Sequence, residues 1–95
     1  PEYRLPAVIE QAGKSIKGEL WITQDSEDYV KSGSGVLNAV PKLHTESQGK
    51  NITTVFSEDI RRTWVLRTDE YINLSDRLVI RYGAGADVPD GQEVR

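Results

Sequence analysis

The chain has no cysteine among its 95 residues, which excludes disulfides and thiolate metal sites and takes nucleophilic thiol chemistry off the table. Histidine occurs once, as His44, so any general acid–base mechanism at neutral pH has a single imidazole to draw on. Apolar runs are short throughout, and none approaches the roughly 20 residues that a membrane-spanning helix needs. A basic excess is also missing. Residues 1–35 carry six acids against four bases, residues 83–95 three acids against one, and residues 56–82 five arginines against five acids. Sequence-independent nucleic-acid binders concentrate positive charge, so tight binding to nucleic acid is not expected, nor is a membrane partner.

What is present clusters between Arg61 and Gly83. Thr63–Thr68 and Arg77–Tyr82 are rich in β-branched, aromatic and arginine residues, and each alternates with a period of two. Trp64 and Leu66 share one face of the first run, opposite Thr63, Val65 and Arg67. Leu78, Ile80 and Tyr82 share one face of the second. Glu19–Gln24 and Ile52–Phe56 read as further strands, and Val36–Val40 as a short apolar run stopped by Pro41. Lys42–Asn51 reads as a loop or a hairpin tip around Gly49.

At the other extreme, residues 5–18 predict a helix. Leu5, Val8, Ile9, Ala12 and Ile16 form a stripe at helical spacing, Pro6 suits a first turn, and Gly18 offers a stop. The expected architecture is mainly β: a single small domain with an antiparallel β-barrel or sandwich preceded by one N-terminal α-helix. Residues 1–4 form an arm, residues 19–82 the β core, residues 25–35 a mobile loop, and residues 83–95 a flexible tail.

Chemical motifs are incomplete. Asp25, Glu27 and Asp28 lack the glycine and closing glutamate of a calcium loop. The GAGAD sequence after Tyr82 lacks the third glycine of a dinucleotide loop, and Pro89 stands where its helix would start. Asn51-Ile-Thr and Asn73-Leu-Ser match the glycosylation pattern without other signs of secretion. His44 reads as a solvated loop residue. No catalytic, metal or cofactor residues are expected, and no enzyme activity.

Aromatic and arginine residues are enriched at protein interfaces, which makes Trp21, Tyr29, Arg61, Arg62, Arg67, Tyr71, Arg81 and Val88 the candidate contact residues. Trp21 opposes Leu20 and Ile22, so either its strand is buried on both faces, under the N-terminal helix, or Trp21 meets a partner.

The stretch Val65–Ile80, through Val65, Arg67, Thr68, Asp69, Glu70, Leu74, Asp76, Leu78 and Ile80, resembles the small head–tail joining proteins of tailed bacteriophages. Ala7–Gly18 resembles the short helix that can precede their barrel, and Ser75 stands where they carry glycine. The resemblance implies a non-catalytic ring component at a portal–tail junction, located in the cytoplasm or the virion. The residues themselves support a structural module working as a homo-oligomer or in a larger assembly. The alternatives are a small protein docking on an enzyme, or a nucleic-acid-binding barrel.

Overall fold

The computed structural model describes residues 3–22 and 34–83. They form six strands: β1 (Tyr3–Gln11), β2 (Lys14–Ile22), β3 (Ser34–Ser47), β4 (Lys50–Ser57), β5 (Arg62–Thr68) and β6 (Leu78–Gly83). All neighbours are antiparallel, and the sheet closes on itself in the order β1-β2-β5-β4-β3-β6. The fold is thus a closed six-stranded barrel, which leaves no free sheet side for a sandwich.

The predicted helix is not there. Residues 5–18 instead build most of a hairpin in which Leu5 pairs with Leu20, Ala7 with Gly18 and Ile9 with Ile16. The helical stripe and the strand pattern share Leu5, Ile9 and Ile16, and the turn chemistry decides between them. Ala12 and Gly13 both adopt positive φ, 51° and 79°, as a two-residue hairpin turn requires. Gly13, a liability in a helix, is an asset in that turn. Pro6 lies just ahead of the β1–β6 ladder, which begins at Ala7 with Tyr82, so its missing N–H breaks no bond to β6. Tyr3 and Arg4, expected in an arm, open β1.

A long, staggered β3 closes the barrel. Its first half, Ser34–Ala39, pairs with β6, and its second half, Val40–Ser47, pairs with β4. The register slips between Pro41 and Leu43, a bulge of the kind that bends a strand around a barrel. Lys42–Ser47 is therefore strand rather than loop, and the expected hairpin tip shrinks to Gln48 and Gly49. Of the expected mobile loop, Ser34 and Gly35 open β3 and residues 25–33 lie outside the described residues. Likewise Gly83 closes β6, while residues 84–95 of the expected tail lie outside.

Inside the barrel, Ile9, Leu20, Leu66, Ile80, Leu78, Val55 and Trp64 make one continuous core. Two glycines on inward positions let large neighbours in. A Cβ on Gly35 would collide with the Tyr82 ring, and one on Gly18 with the Arg67 carbonyl and Thr68. The strand directions place the starts of β1, β3 and β5 and the ends of β2, β4 and β6 at one mouth. At the other mouth, residues 69–77 cross from β5 to β6 and drive Ile72 fully into the core. Gln11 holds that crossing. Its Nε2 donates to the carbonyls of Asn73 (2.6 Å) and Asp76 (2.8 Å), and its Oε1 accepts from the Asn73 amide at 3.0 Å.

Candidate functional site

The inward face of β4 is Thr53, Val55 and Ser57, all fully buried, while Ile52, Thr54 and Phe56 point outward and stay half-exposed. Two bulky apolar residues, Ile52 and Phe56, thus take outer positions and two hydroxyl residues, Thr53 and Ser57, face the core, against the ordinary alternation of a one-sided sheet, which Thr54 and Val55 follow. Register carries the pattern sideways. On the outer surface Thr54 pairs with Val65, Val65 with Trp21, and Trp21 with Arg4. On the β3 side Phe56 pairs with Val40 and Thr54 with Leu43, which is 58% exposed. The outcome is a continuous outer face across β2, β5, β4 and β3 built from Trp21, Val65, Ile52, Phe56, Val40 and Leu43.

Electrostatically this face is edged by arginine. The Arg4 guanidinium lies 4.5 Å from the centre of the Trp21 ring and that of Arg67 lies 5.8 Å away. Such cation–π contacts fix the indole in place while leaving part of it open. Glu19 completes the group: its Oε1 accepts from Trp21 Nε1 at 3.2 Å and meets Arg67 Nη1 at 3.5 Å. Glu19 is the one carboxylate on the described outer positions of this face.

The barrel disperses the other candidate residues. Arg61, at φ 56°, closes the turn between β4 and β5, and half-buried Arg62 opens β5 opposite Ser57. These two sit near the mouth at which β2 ends, on the same side as Trp21 and Arg67. Tyr71 belongs to the opposite mouth, where its exposed ring meets His44 edge-on at 4.7 Å. Arg81 lies on β6, diametrically across from β5, between Val8 and Val36 and 3.6 Å from Glu10. Tyr29 and Val88 lie outside the described residues. Among the described residues no helix covers Trp21, whose neighbours on the outer face include Arg4, Val65, Arg67 and Glu19.

Sequence reasoning missed Leu43, Ile52 and Phe56. The bulge between Pro41 and Leu43 moves Leu43 to the outside and His44 to the inside, where it pairs with Thr53. Pro41 was the available signal, since proline within a strand marks a bulge or an edge. His44 is accordingly no solvated loop residue: it is half-buried under Tyr71, and Glu46 is 3.7 Å from its Nε2.

A concavity of about 480 Å³ is lined by residues of β1, β3, β6 and the β1–β2 turn, among them Glu10, Gln11, Lys14, Ser15, Asn38 and Arg77. Its charges are engaged with neighbours: Lys14 with Glu70 at 2.6 Å, Arg77 with Glu58 at 2.6 Å, and Glu10 with Arg81. Arg77 accordingly holds the Glu58 carboxyl below its usual range, as Lys50 does for Asp69 at the crossing segment. Both pairs are solvent-exposed and orient loops more than they stabilise them. Among the described residues no three potential metal ligands gather, and no helix is long and apolar enough to cross a membrane.

Compared with protein-family models, with curated proteins and with solved structures, the chain matches none at a significant level.

Proposed function

We propose that the chain is a non-catalytic protein-contact module that self-associates through the outer face of β2, β5, β4 and β3. The observation that carries this reading is the partly inverted alternation of β4, which spends Ile52 and Phe56 on the outside and buries Thr53 and Ser57. Exposing such side chains disfavours the lone barrel, at about 25 cal/mol per Å² of apolar surface, unless a partner covers them. Trp21 with Arg4 and Arg67 is the type of aromatic–arginine anchor that dominates interface energetics. In its finer form the reading makes the chain a ring component of a phage head–tail junction, acting in the cytoplasm or the virion. That form rests on the likeness of Val65–Ile80; the likeness of Ala7–Gly18 to a helix has no counterpart in the β1–β2 hairpin.

A nucleic-acid contact is the weaker reading, because Arg67 is already tied to Glu19 and the chain carries net charge −3. The test is the double variant Phe56→Lys/Val65→Lys, whose substitutions lie on outward positions. It is expected to keep its β circular dichroism and to lose self-association, with the dissociation constant weakened at least about tenfold. Association unchanged in a folded double variant overturns the assignment of this face.

A further inference from the structure

We propose that a second copy sits on the β3 end of this face in a two-fold arrangement, β3 antiparallel to β3, with Val36 of each chain against Leu43 of the other and Lys42 of each against Asp59 of the other. The inference rests on the contact-face reading and adds to it the arrangement of the partner and the residues that select it.

The apolar pattern comes first. Val36, 62% exposed, and Leu43, 58% exposed, are the most exposed large hydrophobic side chains among the described residues. Both stand on the outside of β3: Val36 pairs with Arg81, and Leu43 follows the bulge after Pro41. Half-buried Val40 lies between them on the same outer row, with Phe56 paired beside it on β4. The row thus reads alike from either end, with an apolar residue at each tip and one at the centre. A contact between identical surfaces needs that property, because residue i meets residue j wherever j meets i. A two-fold axis lying in the face beside Val40, at right angles to β3, turns Val36 onto Leu43 of the second copy. The same rotation brings Val40 and Phe56 of the two chains together at the centre.

Charge then decides the direction. Asn38 stands on the outer row between Val36 and Val40, and its Nδ2 is 3.5 Å from Asp59 Oδ2. Asp59, on the turn that follows β4, therefore lies on the Val36 side of the axis. Lys42 lies in the bulge on the Leu43 side. Both are exposed, and among the described residues neither enters an ion pair. Glu58, whose carboxyl feels Lys42 across space, is already hydrogen-bonded to Arg77. One base and one acid, on opposite sides of the axis in each barrel, are brought together twice by the rotation. A copy docked with β3 parallel to β3 would instead set Lys42 against Lys42 and Asp59 against Asp59. Opposite charges across a contact fix its register, and like charges suppress the wrong one.

The test is a pair of charge reversals, followed by light scattering on the full chain. Lys42→Glu and Asp59→Lys each alter an exposed side chain, and each variant is first checked for the β circular dichroism of the wild type. Alone, each is expected to self-associate at least about tenfold more weakly than wild type, because like charges now face each other at both contacts. Mixed one to one, the two are expected to regain association as a dimer of one copy of each. The native Lys42 of one chain then meets the native Asp59 of the other, and the two reversed charges meet at the second contact. A mixture that associates no more tightly than either variant overturns the proposal. So do single variants that associate as tightly as an associating wild type. A wild-type chain that stays at 10.6 kDa throughout a dilution series marks instead the failure of the contact-face reading, and the arrangement falls with it.

Discussion

Thr53 faces the core from the middle of β4, and its Oγ1 is buried without a hydrogen-bond partner among the described residues; Ser57 Oγ and Trp64 Nε1 share that condition. An unpaired buried hydroxyl costs about 1–3 kcal/mol, whereas a methyl of the same shape costs nothing there. Thr53→Val is therefore expected to stabilise the barrel by about 1 kcal/mol, read as a higher denaturation midpoint at unchanged slope; a lower midpoint contradicts the assignment. Tyr82 sets a second residue-scale expectation. Burial over Gly35 pushes its phenol above the ordinary value near 10. A raised folded value means its contribution is complete below the ordinary value and is lost as pH climbs through the folded one. The wild-type melting temperature should fall steeply above about pH 10, and Tyr82→Phe should flatten that fall. Equal alkaline slopes would remove Tyr82 as the cause.

Among the elements, the strands with one apolar face were legible and the turns decided the rest. Leu78, Ile80 and Tyr82, and likewise Trp64 and Leu66, point into the barrel as their two-residue spacing implies. The β1–β2 hairpin was hidden because Leu5, Ile9 and Ile16 satisfy helical and strand periods alike, and Ala12-Gly13 is a weak turn signal beside Asn-Gly. β3 was cut short because its bulge shifts the inward set from Leu37 and Ala39 to His44. The contact face was half legible: Trp21 and Arg67 stood out by residue type. Phe56 and Ile52 did not, because an exposed apolar position looks like a core position until register is known. The crossing segment 69–77 yields the prediction at this scale. Gln11→Leu removes the three hydrogen bonds that hold it and should cost about 3 kcal/mol. Amide exchange in 69–77 should accelerate before that of β1 and β6; uniform acceleration would mean that Gln11 supports the whole barrel.

For the molecule as a whole, closure of the sheet leaves the outer surface as the place where contact can occur. On one side β6 presents Arg81, paired with Glu10 and beside Val36, which is 62% exposed; on the other, β2, β5 and β4 present partly exposed apolar residues with an arginine-flanked tryptophan. The central claim is that this latter side brings copies together. It is tested by the light-scattering mass of the full chain over a dilution series from high micromolar concentration downward. The account predicts a mass that is a multiple of 10.6 kDa at the top of the series and falls on dilution. A mass of 10.6 kDa at every concentration would contradict it.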